Sequence, residues 1–290
     1  MKKNKINIDE QVVETFDEYK NLIDDLIKNR QLREFRLSPK YYEISRNSWL
    51  IDKYIARDGV AEEGFVSNTL SAYAYAIKNK FAISIPVRMI DDGSLVCFSH
   101  KSLTKVISTE SGYINNMTLT ELKKINLNAD GEKILTLDEA LEAIANKVPV
   151  IIDIKNDGMI GKIEENIISI IDTYIKEHKA YGNVAVMSCN PYSLEYMYNN
   201  YPYVPRILKS GKFEYKMYGS IPTKKLTKLK LYKITAADFI CYSHEDLPYR
   251  AIRKHKPAGV IAHTVNTQNQ YLKVAPHCDN IIFSGFKPYI

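Results

Sequence analysis

The amino-acid sequence predicts an α/β fold of the (β/α)8 TIM-barrel class, with a small insertion after the second strand region and an N-terminal helical extension. Three observations lead there. From Tyr54 onward, short apolar runs alternate with helical stretches. The runs are apolar on both faces, which suits a parallel sheet covered by helices. Nine strand candidates can be counted, one more than a closed barrel needs, and Asp92-Gly93, a hairpin dipeptide, accounts for the surplus. An open doubly wound sheet is the alternative. No GxGxxG or GxxxxGK(S/T) loop follows any strand, however, and 12 glycines leave few phosphate-cradling loops.

Taken in order, residues 8–28 set Val12, Phe16, Tyr19, Ile23 and Leu26 at steps of four and three, the stripe of an amphipathic helix. That helix could pack on its own domain, mediate self-association or dock a protein partner. Residues 1–48 are therefore expected to form an N-terminal helical extension and residues 49–290 the barrel. Strand then helix repeats as YIAR with SNTLSAYAYAIKNK, FAISIPVRMI with its hairpin arm LVCF, VPVIIDIK with KIEENIISIIDTYIKEH, and NVAVMSC with PYSLEYMYNN. It continues as YVPRIL with a polar insert through about residue 234, ADFICY with EDLPYRAIRKH, AGVIAHTV with NTQNQYLKVA, and DNIIFS. Residues 103–135 form a structured insertion, with helix starts at Thr118 and Thr136 marked by glutamate three residues on.

Composition narrows the function classes. With 45% apolar and 26% charged residues the chain is an ordinary globular one, long enough for a large core. The +6 formal charge is dispersed rather than gathered in an arm, which argues against nucleic acid and is compatible with anionic substrates. No apolar run approaches the roughly 20 residues of a membrane span, and MKKNKINIDEQ has no apolar segment behind its lysines. A soluble, cytoplasmic protein is expected. Cys97, Cys189, Cys241 and Cys278 lack CxxC spacing, and three lie in apolar runs; they read as reduced core thiols, with a nucleophilic Cys189 as the minor alternative.

Chemistry in a barrel sits at the C-terminal ends of the strands. There the sequence offers Arg57 and Asp58, Ser84 and Pro86, Ser99 and His100, Asp153 and Lys155, Ser188 and Asn190, Tyr242 and His244, His263 and Asn266. Asp153 and Lys155 are two apart in VIIDIK and so share one face. They either form a structural network with neighbouring strands, or Asp153 ligates a hard cation or positions a hydroxyl while Lys155 holds an anion.

Taken together these stretches resemble the glycerophosphodiester phosphodiesterase family, from about Trp49 to the C-terminus. IARDG at 55–59 stands where the family has Ile-Ala-His-Arg-Gly, and VSNTLSAYAYAIKN at 66–79 where it has Pro-Glu-Asn-Thr and a helix. ISIPVRMIDDGSLVCFSHKSL at 83–103 stands for Glu-x-Asp-Val, Asp-Gly and Phe-His-Asp-x-x-Leu. MTLTELKKINL and ILTLDEAL are close to the family's insertion; IDIK matches Ile-Glu-Ile-Lys, SCNP matches Ser-Phe-Asn-Pro and HTVN matches Trp-Thr-Val-Asn. The resemblance implies a TIM barrel. In the family two histidines act as acid and base, three carboxylates hold one divalent cation, and an arginine and a lysine contact the phosphate.

This sequence departs at those positions. Arg57 replaces the first histidine, Asp58 its neighbouring arginine and Ser99 the second histidine; Ser84 and Pro86 replace the Glu-x-Asp pair, and Ser67 the glutamate of Pro-Glu-Asn-Thr. Arginine keeps its proton near neutral pH and a serine hydroxyl is a poor proton carrier. Asp153 alone is left as a weak metal candidate and Lys155 as a phosphate contact, with Arg57 and His263 as further substrate-binding candidates. His100 and His263 are weak catalytic candidates; His100 adjoins Ser99 and would need a bulge to turn inward, while Pro86 would remove a ladder donor from a central strand. The expectation is a binding or scaffold protein for a small anionic phosphate compound, without a cofactor. The rival is an active phosphodiesterase with calcium or magnesium and a rebuilt site drawing on Asp58, Asp153, His100, His263 and the nearby Glu62 and Glu63.

Overall fold

The computed structural model describes residues 5–36, 38, 40–41, 49–60, 62–105, 107, 111–212 and 223–289. Among these residues nine strands form one sheet: β1 (Ile55–Arg57), β2 (Ala82–Met89), β3 (Leu95–Cys97), β4 (Val150–Ile154), β5 (Val184–Ser188), β6 (Arg206–Ser210), β7 (Phe239–Ser243), β8 (Gly259–Val265) and β9 (Asn280–Phe283). Their order is β1-β9-β8-β7-β6-β5-β4-β2-β3, and β1 also pairs with β2, so eight parallel strands close into a barrel. β3 stands outside, antiparallel to β2 with Val87 opposite Cys97. The Asp92-Gly93 turn makes that arm: Gly93 N–H donates to the Ile90 carbonyl at 3.0 Å, and Asp92 Oδ1 accepts from Ser94 N–H at 2.9 Å. This is the (β/α)8 TIM barrel that the strand count predicts.

The alternation of side chains explains why both strand faces are apolar. Ile55, Ala82, Ile151, Ala185, Met187, Ile207, Phe239, Cys241, Ile261 and Ile282 fill the barrel. Their neighbours Ala56, Ile83, Ile85, Ile152, Val186, Leu208, Ile240 and Ala262 pack outward in the larger core, which also takes in buried residues of the helices. Those helices include Leu70–Lys78, Leu137–Ile144, Lys162–Glu177 and Pro191–Asn200. Thr118 and Thr136 both form capping boxes, with Glu121 and Glu139. The helix after Thr136 is one of the barrel's own, since Leu137, Ala140, Leu141 and Ile144 belong to the larger core. The insertion before it holds a satellite core of Leu103, Ile114, Leu122, Ile125 and Ile134 against β3. Of EDLPYRAIRKH only Arg250–Arg253 is α-helical.

Pro86 proves harmless to the ladder. On β2 the even residues face β1 at first, where Ser84 accepts from Asp58 N–H at 2.8 Å, and then β3, where Pro86 accepts from Phe98 N–H at 3.0 Å. The missing N–H falls at this change of neighbour, and the Asp58 carbonyl, next along the ladder, accepts from Asn68 instead, at 2.8 Å.

The N-terminal helix begins later than its apolar spacing predicts. It spans Phe16–Lys28, because Thr15 caps it in a capping box with Glu18, and Val12 lies ahead of it, 78% exposed. Tyr19, Leu22, Ile23 and Leu26 are buried with Leu32 and Phe35, and Tyr181 and Tyr203 pack against that cluster. Lys20 reaches Asp172 at 2.6 Å. The apolar face thus packs on the chain's own barrel. The expected boundary after residue 48 falls beside residues 42–48, outside the described residues. Beyond them, Trp49 and Leu50 plug the base of the barrel; Trp49 Nε1 donates to the Gly182 carbonyl at 2.8 Å. Among the described residues no helix is long and apolar enough to cross a membrane.

Candidate functional site: a carboxylate between two ammoniums

At the open end of the barrel β4 presents Asp153 and, one step beyond its last paired residue, Lys155. Lys155 Nζ lies 2.7 Å from Asp153 Oδ2, and Lys209 Nζ from β6 lies 3.0 Å from the same oxygen. Asp153 Oδ1 is buried with no hydrogen-bond partner among the described residues. Lys209 escaped the sequence reading, which ended its strand at Leu208. The signal was present: Lys209 is two residues past the inward Ile207, so it faces the interior as Asp153 does. Its side chain reaches across β5, above Met187, to a carboxylate 56 residues away.

Burial disfavours all three charges, and their mutual arrangement decides the outcome. For Asp153 the two ammoniums outweigh burial and hold the carboxyl well below the usual carboxylate range. Lys155 is pushed down by burial, with Asp153 opposing and Lys209 adding to the shift, while the same carboxylate outweighs burial at Lys209 and pushes it up.

Arg57 ends β1 at the rim, and its Nε lies 3.4 Å from Asp58 Oδ2. Ser99 Oγ donates to that same oxygen at 2.9 Å. The chain turns sharply here because Asp58 and Gly59 both have positive φ, and a Cβ at Gly59 would stand 2.6 Å from the Tyr73 ring. His100 lies beyond the end of β3, exposed, its pKa lowered by partial burial and then by Arg57. His263 on β8 pairs in register with Ser243, and its Nε2–H donates to the Ser210 carbonyl at 3.0 Å. A carbonyl can only accept, so Nε2 carries the proton. Burial, then Lys209, push the imidazole down to about 3. It is neutral near pH 7 and a feeble base.

Other mouth candidates have structural work. Ser188 Oγ donates to the Ile154 carbonyl at 2.9 Å and Asn190 Oδ1 caps the helix Pro191–Asn200. Tyr242 turns outward, its hydroxyl donating to the Thr227 carbonyl at 2.9 Å. Asn266 N–H is held by Gln270 at 2.7 Å. Glu62 and Glu63 are exposed, and Glu62 meets the Tyr75 hydroxyl.

The donor set does not fit a hard divalent cation, which takes several oxygen ligands carrying negative charge. Asp153 commits one oxygen to both lysines, so a cation on the other would face two ammoniums. Among the described residues no group of three or more His, Cys, Asp or Glu is arranged to hold a metal.

This barrel has relatives among solved structures. A phosphodiesterase from Oleispira antarctica, solved with its product sn-glycerol-3-phosphate, is 20% identical with a TM-score of 0.64, over 82% of this chain and 94% of that one. A glycerophosphodiester phosphodiesterase from Thermotoga maritima is 19% identical with a TM-score of 0.59, over 80% and 95%. One from Parabacteroides distasonis is 16% identical with a TM-score of 0.59, over 80% and 92%. At such identities the likeness establishes the fold. Comparison with curated proteins finds no match. The sequence profile of the glycerophosphoryl diester phosphodiesterase family, however, matches residues 57–282, from Arg57 at the rim to the last strand of the barrel, and the chain belongs to that family.

Proposed function

We propose that the mouth binds a small phosphate compound of the glycerol phosphate type without hydrolysing it, so that the protein acts as a binding or scaffold member of its family. The observation that carries this reading is the Asp153 carboxylate bridged by Lys155 and Lys209: an internal ammonium sits on the one acidic group left for a metal. Proton transfer near neutral pH needs a group that titrates there. Arg57 is a guanidinium without an acceptor and leans on Asp58, Ser99 is engaged with the same carboxylate, and His263 is held at about 3.

Binding is better served. Arg57, Lys155 and Lys209 against Asp58 and Asp153 leave one net positive charge at the mouth. Lys155 and Lys209 hold the phosphate, Arg57 meets it at the rim, neutral His263 lines the wall, and the unpartnered Asp153 Oδ1 accepts a hydroxyl of the ligand. The complex of the Oleispira protein makes sn-glycerol 3-phosphate the natural probe. The helix Phe16–Lys28 acts in this reading as a brace on the barrel.

Calorimetric titration with sn-glycerol 3-phosphate tests the binding. Each charge-assisted hydrogen bond contributes roughly 1.5–3 kcal/mol, so Lys155→Ala or Lys209→Ala weakens affinity by about tenfold or more. Glycerophosphodiesters incubated with calcium, magnesium or manganese show no turnover above that of Asp153→Ala. Metal-dependent turnover that disappears in Asp153→Ala would establish a rebuilt enzyme and overturn this reading.

A further inference from the structure

A cavity of about 410 Å³ opens at the end of the barrel opposite the mouth, and neither Arg57, Asp153, Lys155, Lys209 nor His263 lines it. Its inner wall is made where β6, β7 and β8 begin, at Arg206, Asp238 and Ala258, and its outer wall by the helix Leu32–Arg36 and residues 254–256. Arg206 and Arg36 are 0% and 3% exposed. Both lean on one carboxylate: Arg36 Nη1 meets the two oxygens of Asp238 at 2.9 and 3.0 Å, and Arg206 Nη2 lies 3.6 Å from Oδ2. Arg36 Nη2 also donates to the Pro202 carbonyl, and Arg206 Nη1, Nε and Nη2 donate to the carbonyls of Val204, Thr235 and Ala236.

Two buried cations against one anion leave one positive charge without a counter-ion among the described residues, a costly arrangement unless something supplies it. Arg36 Nε is buried without an acceptor in hydrogen-bonding geometry among the described residues, while the guanidinium also interacts with the Tyr19 hydroxyl. Burial, then Arg36, lower the Arg206 pKa to about 10. At the rim stand Arg33, Lys233, Lys254 and Lys256, none paired with a carboxylate among the described residues. Six cationic side chains against Asp238 give this lining five net positive charges, almost the whole of the chain's formal +6. Even His255 has its pKa lowered, by burial and then by Lys233, Arg33 and Lys254. Between rim and wall lie rings: Arg206 covers Tyr198 at 5.0 Å, and the His255 ring lies 4.4 Å from Tyr232, tilted by 38°. The volume falls within the roughly 300–1,000 Å³ usual for small-molecule sites.

The geometry points to a binding site for an organic phosphate of mononucleotide size, with its phosphates on the cationic rim and its planar body against Tyr198 and Tyr232. A phosphate there supplies the charge that Asp238 cannot. The site stands apart from the barrel mouth and holds whether or not the mouth hydrolyses anything.

Calorimetry on the full chain with ADP, pyrophosphate and adenosine tests it. ADP binds; the Lys233→Glu/Lys254→Glu variant, altered only at exposed side chains, loses about tenfold or more in affinity with an unchanged circular dichroism spectrum and melting midpoint. Lys209→Met leaves ADP affinity as it was. The proposal is overturned if ADP gives no heat up to about 5 mM, if the double variant binds it equally well, or if Lys209→Met abolishes binding. Pyrophosphate binding as tightly as ADP overturns the role of the rings, and adenosine doing so overturns the role of the phosphates.

Discussion

Asparagine at position 153 is nearly isosteric with aspartate, yet it removes the one carboxylate that Lys155 and Lys209 both touch, at 2.7 and 3.0 Å. Two ammoniums, 15% and 14% exposed, are left facing each other without a counter-ion. Removing one partner of a buried ion pair costs about 3–5 kcal/mol. At roughly 2–4 °C per kcal/mol for a domain of this size, Asp153→Asn lowers the melting midpoint by roughly 6–20 °C. The pH dependence has a definite sign. Without Asp153, burial and mutual repulsion hold both lysines below their ordinary value of about 10.4, so the unfolded chain binds more protons than the folded one and stability rises with pH. The gap between variant and parent therefore narrows from pH 7 towards about pH 10. Inorganic phosphate narrows it too, by lying between the ammoniums. Urea melts followed by circular dichroism across that range measure the gap, and should Asp153→Asn not fold, Asp153→Asn/Lys209→Met relieves the repulsion and restores folding. A variant within about 0.5 kcal/mol of the parent at pH 7, or a gap that widens with pH, would refute the reasoning.

Three further outcomes are expected. His263, ordinarily near 6.5 but held at about 3 in the fold, lets the unfolded chain take up a proton first; stability falls by roughly 1.4 kcal/mol per pH unit below about pH 6, and His263→Gln flattens that slope in urea melts. Burial pushes the Cys97 and Cys241 thiols well up and Cys278 to about 11, so a thiol reagent at pH 8 labels the native chain slowly and all four cysteines once it is unfolded; a burst with native protein would contradict the packing. Leu26→Ala, a fully buried position, costs about 2–5 kcal/mol in thermal melts, whereas Val12→Ala changes stability by less than about 0.5 kcal/mol; equal effects would place the start of the helix wrongly.

The barrel was legible in the sequence because its signals are local. Apolar strands, capping boxes at Thr118 and Thr136, and the Asp92-Gly93 turn each act within a few residues, where hydrogen-bond geometry and side-chain period leave few choices. The pairing of Asp153 with Lys155 belongs to the same class, two positions on one strand face. What only the tertiary structure decided spans the closed sheet. Lys209 finds Asp153 across an intervening strand, Pro86 loses nothing because its strand changes neighbours there, and Val12 drops out of a helix whose start a cap sets rather than its apolar spacing. At the base, Arg36 meets Asp238 202 residues away and the cationic lining gathers from several segments, so a charge dispersed along the chain becomes concentrated in space. No local pattern encodes such pairs: an ion pair depends on where two side chains end, and closure of the barrel is what brings them together.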